Sequence, residues 1–542
     1  MPAALYSHSP STTWDNVRPD TLSLAQAQRL VLAIAVVLAL GFRGTALSTY
    51  GLSEDEMNKV RAIEQYRAGH FSANAEHPML MKLAMWGSVD LARAWNRVAP
   101  AAQAISLETA IRLPNAVAGA AITLVLFGVA DLLFGRTVAT VASLLWAFDV
   151  NAIAINRIGK EDTFLLLFFL LAVFCYERAK RLGIADPDGA QRWYALSGGS
   201  FGLMFASKYM PHYFGLYALF NLVTDPRPGR NRPNHLRYYA AMCATFVVAN
   251  AAFLLPETWR YAASYVQGGM LAHHGYLYAG GLYLTNIPIS PLGVPPTYYL
   301  RLLATKVPLA VLAAAVPGAI EMIRRRHERG FVLLRVLVVF VLVPYSLMAA
   351  KFERYMLPLL AVLDLVAAIG IVGGIDWLLR KSWLSPITRV TVSALAISVF
   401  AAGLAAAQQS AAPFYSVFQN AIGAGLGAPG SAFPEETYDY GVREAVAAIA
   451  AVATPSAVIV SDADAGVAHY LRSSGRPDIA VRALSAAGLP PAARETWVIV
   501  QNEHTTFENR FVVAQLRARE RPWAQFHAGG ALAAQVYRVA GR

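Results

Sequence analysis

Long apolar runs, separated by short polar or basic loops, fill the first four hundred residues of the chain. Eleven of them approach the roughly 20 apolar residues that a helix needs to cross a bilayer: 28–47, 113–134, 138–156, 162–177, 193–210, 212–224, 238–256, 308–323, 332–350, 355–379 and 389–407. Beyond about residue 410 the pattern changes. Short β-like runs at 457–461, 479–484, 497–501 and 533–539 alternate with helical periodicity at 441–452, 463–472 and 509–519, the signature of a small α/β layer. The pattern predicts a polytopic α-helical membrane protein of about eleven spans with a small C-terminal α/β domain. Its parts are a cytoplasmic tail at 1–27, a membrane domain at 28–407, a linker at 408–435 and an extracytoplasmic domain at 436–542.

Composition agrees: 56% of the 542 residues are hydrophobic and only 15% are charged, which excludes an ordinary soluble enzyme. Basic residues then fix the orientation, because short loops rich in Lys and Arg stay in the cytoplasm. With the N-terminus inside, the inner loops carry Arg136, then Arg178, Lys180, Arg181 and Arg192, then Arg227, Arg230, Arg232 and Arg237, then Arg324, Arg325, Arg326 and Arg329, and last Arg380, Lys381 and Arg389. These loops account for much of the formal charge of +12, so no nucleic-acid partner is needed. The first apolar run follows a polar stretch, shows no small-residue cleavage site, and reads as an anchored span in the plasma (inner) membrane. Cys175 and Cys243 both fall inside predicted spans, which excludes a disulfide scaffold.

The chemistry-bearing residues collect in the opposite, outer loops. Asp55 and Glu56 stand just after the first span, where carboxylates are costly and are usually kept for a purpose. Arg157 and Asp162 border the fourth span, Lys208 ends the fifth, and Arg354 and Tyr355 lie between the ninth and tenth. His77 and Lys82 follow in loop one, and the pair His273–His274 sits in a loop at 257–307 whose length is uncommon unless functional. Acids and bases on one membrane face suit glycosyl transfer from a lipid-linked sugar phosphate. A carboxylate takes the proton of the acceptor hydroxyl, and Arg or Lys receives the charge developing on the departing phosphate.

Several motifs in order now carry a resemblance: the Asp55-Glu56 pair, His77-Pro78-x-Leu80-x-Lys82, Arg157-x4-Asp162, Ser207-Lys208-Tyr209 and Lys351-x2-Arg354-Tyr355-x-Leu357-Pro358. Over about 30–370 the chain resembles the family 39 protein O-mannosyltransferases and their bacterial relatives, the lipid A aminoarabinose transferases, which have the GT-C fold. The resemblance implies a polyprenyl-phosphate-linked sugar donor and a hydroxyl-bearing protein, lipid or glycan acceptor. It implies Asp55 as general base, Glu56 as its support or an acceptor contact, and Asp162 as the second acid. Lys208, Arg354, Tyr355 and Arg157 would bind the donor phosphate, with His77, Lys82, His273 and His274 as acceptor or loop contacts. Two departures bear on the acceptor: the usual His-Pro-Pro-Leu is His-Pro-Met-Leu here, and the MIR domain of eukaryotic members has no counterpart.

Simpler readings stand beside these. Asp55 and Glu56 suit the first turn of a helix, Lys208 and Arg354 suit contact with lipid headgroups, and adjacent histidines point apart. No metal-ligand spacing occurs, so no cofactor is implied, although a divalent metal ion is left open. Gly425-Leu426-Gly427-Ala428-Pro429-Gly430 matches a dinucleotide fingerprint, but no strand precedes it and Pro429 opposes a helix start. Asp462 and Asp464 follow a predicted strand, where an ion or a helix cap would explain them equally. The competing class is a membrane transporter or lipid flippase, whose folds show repeated halves and interrupted helices. Here the halves do not match.

Overall fold

The computed structural model describes residues 23–539, apart from 184, 226–231, 265, 268–274, 285–289, 428–429, 431, 434–435, 438, 486–493 and 502–503. His273 and His274 lie outside the described residues.

A helix occupies each of the eleven apolar segments. α1 (Leu24–Gly44) starts at a capping box made by Ser23 and Gln26. Its small residues Ala35 and Ala39 pack fully buried against Ala120 and Ala147, as membrane helices do where backbones approach closely. α2 (Glu54–Arg67) and α3 (Leu80–Asn96) fold within loop one. α4 (Leu107–Phe134) is followed by α5 (Arg136–Phe148) and α6 (Val150–Asn156), where one straight span is expected from sequence. The chain bends there by 61° because Asp149 leaves the helical region and caps α6, accepting from the Asn151 and Ala152 amides. α7 (Asp162–Leu182), α8 (Pro187–Ser207), α9 (Pro211–Thr224) and α10 (His235–Ala249) follow. α8 and α10 nearly touch: a Cβ on Gly198 or Gly202 would lie 2.2 Å from the Tyr238 or Met242 carbonyl oxygen. Only glycine permits that approach.

The long loop holds α11 (Pro256–Ser264), a hairpin of β1 (Tyr276–Tyr278) and β2 (Gly281–Tyr283), and α12 (Tyr298–Lys306). α12 turns through 116° into α13 (Leu309–Arg324). α14 (Arg329–Leu347), α15 (Leu357–Leu379) and α16 (Pro386–Ala411) complete the helical part. Among the described residues five helices are long and apolar enough to cross a membrane, or up to seven if each bent pair is one span. Polar belts mark the two ends of the helical part. Asp162 opens α7 beside Lys208, while near its other end Glu177 takes two hydrogen bonds from Arg329 at 2.7 and 3.1 Å. Asp162 and Glu177 lie on one helix, 15 residues and so about 22 Å apart along its axis.

The connecting segment is pinned to the membrane part. α17 (Ala421–Leu426) starts at Asn420, whose amide donates to the Ala304 and Val307 carbonyls at 2.8 and 2.7 Å. The fingerprint-like glycines overlap the end of this short helix, and the elements directly before them among the described residues are helical. Then come α18 (Val442–Val452), β3 (Val458–Ser461), α19 (Asp464–Ser473), β4 (Ala480–Arg482), β5 (Thr496–Gln501), α20 (Arg510–Arg519), β6 (Ala524–Ala528) and β7 (Ala531–Val539). The sheet order is β4-β3-β5-β7-β6, parallel across β4, β3 and β5 and antiparallel from β5 through β7 to β6. Alternation explains why β5 is buried throughout: Trp497 and Ile499 join α18 and α19 on one face, while Val498 and Val500 meet Val513 and Leu516 of α20 on the other. β6 is the strand not expected from sequence. It is an edge strand whose Gln525 and His527 are exposed and whose Phe526 is only partly buried, so its pattern is not that of a core strand.

Candidate active site

The acidic pair after α1 divides its labour. Ser53 caps α2, and Glu56, three residues on, returns its side chain to the Ser53 amide at 3.0 Å. Glu56 is fully buried and takes two bonds from Arg112 of α4 at 2.8 and 2.7 Å, with a further bond from the Gly159 amide at 2.9 Å. It is fully committed to holding loop one against α4 and the turn before α7. Both of its oxygens are taken by these partners. Asp55 points elsewhere: its carboxylate is one-third exposed and pairs with Lys160.

Lys160, Glu161 and Asp162 are the hub of the site, because three consecutive residues at the start of α7 reach α2, the His77 loop, the end of α8 and the turn before α15. Lys160 pairs with Asp55. Glu161 pairs with Lys59 at 2.8 Å, both side chains 1% exposed, and stands 3.8 Å from His77 Nδ1. Asp162 takes a hydrogen bond from Lys208 Nζ at 2.7 Å and lies 3.9 Å from Arg354 Nε. Lys59 is four residues after Asp55, on the same face of α2, so one helix supplies both the carboxylate and the cation that meets the hub.

These charges reinforce one another. Burial by itself would raise the Asp55 carboxyl, but Lys160, Arg354 and Lys59 outweigh it and hold it well below the usual carboxylate range. Glu161 is likewise held low, its burial overcome by His77, Lys59 and Lys160. Burial pushes His77 well below its ordinary value against the pull of Glu161, so the imidazole is neutral near pH 7.

Next to the hub is a cavity of about 40 Å³ lined by Lys160, Arg354, Glu353, Asn151 and Ser416. Arg354 and Lys160 line it directly. Lys208 shares Asp162 with Arg354, with its Nζ 4.8 Å from the centre of the Tyr355 ring, and the Arg354 guanidinium lies over Phe352 at 4.2 Å. Behind the cavity, buried Lys306 joins the connecting segment to the turn before α15 through Glu436 at 2.9 Å and Glu353 at 3.7 Å.

Five of the residues expected from sequence thus come together: Asp55, Asp162, Lys208, Arg354 and Tyr355. The other expected residues do different work. Arg157 is 1% exposed, and its two terminal nitrogens donate to the Phe42, Thr45 and Ala46 carbonyls at 2.9, 2.6 and 3.0 Å. It braces the end of α1 and is not among the residues that line the cavity. Lys82 is fully buried and donates to the Asn74 and His77 carbonyls at 2.6 and 2.9 Å. It closes the loop that positions His77. Lys59, Lys160, Glu161, Lys306 and Glu353 are the members that sequence reasoning passed over. Their signal was adjacency, since Lys160 and Glu161 precede Asp162 and Glu353 precedes Arg354. Among the described residues no group of three His, Cys, Asp or Glu side chains could hold a metal ion.

Comparison with known proteins fits this geometry. Residues 102–253 match the family model described as dolichyl-phosphate-mannose-protein mannosyltransferase. No curated protein matches the chain by sequence. The structure superposes on ArnT from Cupriavidus metallidurans bound to undecaprenyl phosphate with a TM-score of 0.55 at 13% identity, covering 96% of this chain and all of that one. The chain has the GT-C fold. This GT-C chain also matches ArnT from the same organism in the apo state, with a TM-score of 0.54, 13% identity and the same coverage. An Archaeoglobus fulgidus oligosaccharyltransferase tethered to an acceptor peptide is similar at a TM-score of 0.50 and 10% identity, over 94% of this chain and 74% of that one.

Proposed function

We propose that the protein transfers a sugar from a polyprenyl-phosphate donor to a hydroxyl acceptor at the outer face of the membrane. The observation that carries this reading is the hub at Lys160–Glu161–Asp162, which gathers Asp55 and Asp162 with the cations Lys160, Lys208 and Arg354, two of which, Lys160 and Arg354, line one cavity. ArnT, of the same fold, binds undecaprenyl phosphate, and a phosphate here would meet Arg354 and Lys160. Asp55, kept ionised by Lys160, accepts the proton of the attacking hydroxyl. The new glycosidic bond forms as the anomeric carbon–phosphate oxygen bond breaks, with Arg354 and Lys208 receiving the phosphate charge. Direct attack opposite the leaving group inverts the anomeric configuration. Asp162 acts as a positioning residue, since it holds the two cations together.

Purified protein supplied with defined polyprenyl-phosphate sugars and cell-envelope acceptor fractions is expected to give an acceptor mass shift of one sugar. No consumption of any such donor would overturn the assignment. Replacing Arg354 or Lys208 by Ala is expected to weaken donor use by about 10- to 100-fold, the loss of one charge-assisted contact of about 1.5–3 kcal/mol. Donor kinetics unchanged in both variants would return these residues to the role of headgroup anchors.

The reading requires the C-terminal sheet to lie on the same side as Asp55. Contacts support this: the Tyr470 hydroxyl of α19 accepts from the Leu52 amide at 2.6 Å, and Arg443 of α18 donates to the Ser48 and Thr49 carbonyls at 2.9 and 2.8 Å. An alkaline phosphatase fused after Arg542 is expected to be active in intact cells. A fusion partner that works only in the cytoplasm would refute this placement.

A further inference from the structure

The carboxyl edge of the C-terminal sheet faces the start of α2 and carries a polar cluster that the transfer site leaves unused. In open α/β sheets, ligands bind in the crevice beyond the carboxyl ends of the parallel strands. β3 and β5 are such neighbours. Gln501, the last residue of β5, donates Nε2 to Asp439 Oδ1 at 2.9 Å, and His504 Nε2 lies 2.6 Å from the same oxygen. Asp439 Oδ2 accepts from the Glu54 amide at 2.5 Å, one residue before Asp55. Asp462, just after β3, pairs with the Asn509 amide. Asp439 is held at φ +63°, a conformation rare outside glycine and concentrated at functional sites.

Two polar atoms here have no hydrogen-bond partner although their side chains are more than nine-tenths buried: Gln501 Oε1, with Gln501 3% exposed, and Thr505 Oγ1, with Thr505 8% exposed. Unsatisfied buried polar atoms are costly and call for an explanation. A ligand that supplies hydroxyl groups would satisfy both.

We propose that this edge binds the acceptor as a hydroxyl-rich glycan, whose reacting hydroxyl reaches Asp55 while a neighbouring sugar unit sits against Gln501, Thr505 and the Asp439–His504 pair. The inference rests on the glycosyl-transfer reading of Asp55 and adds the substrate class. Carboxylate, amide, hydroxyl and imidazole together suit partners that both donate and accept hydrogen bonds, as sugar hydroxyls do. Asp439 and Asp462 would repel an acceptor phosphate at this edge. A peptide read through its backbone needs an open strand, but β3 is paired on both sides by β4 and β5, and β5 by β3 and β7.

The test uses full-length protein in lipid nanodiscs without donor and saturation-transfer NMR with three probes: maltotriose, cellotriose and mannotriose. At least one is expected to bind saturably, and Gln501→Ala and Thr505→Val are each expected to weaken it about 3- to 10-fold, one hydrogen bond apiece. Thr505→Val removes a hydroxyl without a partner, so it should melt no lower than the parent, and weaker glycan binding in a protein of undiminished stability separates the site from a structural role. Binding of none of the trisaccharides, equal binding by parent and variants, or capture of a Ser/Thr-rich peptide in their place would overturn the proposal. Because binding is read without turnover, a parent that binds trisaccharide but consumes no polyprenyl-phosphate sugar refutes the transfer chemistry and leaves the glycan edge supported.

Discussion

Replacing Asp55 by Asn is expected to slow sugar transfer by at least about 100-fold while the protein still folds and binds donor. The amide keeps the size of the side chain and most of its compatibility with the first turn of α2, and the lost interaction with the helix dipole is worth only about 0.3–1 kcal/mol. What disappears is the group that accepts the proton. The ion pair with Lys160 also goes, leaving that lysine, 5% exposed, without its carboxylate partner, so donor affinity and melting temperature must be measured beside the rate. A variant that folds, binds donor and transfers at near the parental rate would refute the assignment and make Asp162 the next carboxylate to test. The sign of the pH dependence follows from the same charges. Burial raises the Asp55 carboxyl, Lys160, Arg354 and Lys59 lower it further, and the net shift is downward. The base form is therefore present throughout the neutral and mildly acidic range. Activity limited by Asp55 is lost only as pH falls through a value below that of an ordinary carboxylate. An acid limb with a midpoint above the ordinary carboxylate range would assign that limb to another group.

The second large effect is on stability. Arg112→Met is expected to destabilise the protein by about 3–5 kcal/mol, because it strands the buried Glu56 carboxylate without its counter-charge. Arg112 is fully buried, and besides Glu56 it binds the Leu47, Tyr50 and Gly51 carbonyls at 2.7, 3.0 and 2.6 Å. One side chain thus secures the whole turn between α1 and α2. Thermal unfolding in detergent provides the measurement, with the double variant Arg112→Met/Glu56→Leu as control. Removing both charges should recover part of the loss, since a buried pair replaced as a unit costs far less than one broken. A single variant no less stable than one lacking the exposed Arg67–Asp90 pair, whose side chains are 25% and 51% exposed, would show that Glu56 tolerates solitude. Asp55 would then need another explanation for its fixed position.

These two residues show how far sequence reading reaches. Asp55 and Glu56 look alike in the chain, both acidic and both after the first span. The spacing of Glu56 from Ser53 is a capping-box pattern and can be read locally. Its pairing with Arg112, 56 residues away, cannot, because it depends on how α4 packs against α2. Arg157 shows the same limit in the other direction. A cation at the end of a predicted span looks available to a phosphate, yet its terminal nitrogens are used on the carbonyls that end α1.

The sequence by itself determined the helical segments, their apolar faces, the strands β3, β4, β5 and β7, and the loops in which acids and bases collect. All of these follow from local periodicity and from the cost of placing polar groups in lipid. The tertiary structure alone decided the bend between α5 and α6, the partners of Lys160, Glu161 and Asp162, and the meeting of the sheet's carboxyl edge with α2. Charges far apart in the chain become one site only when packing brings them within a few ångströms, where burial strengthens each attraction and makes each unpaired group costly.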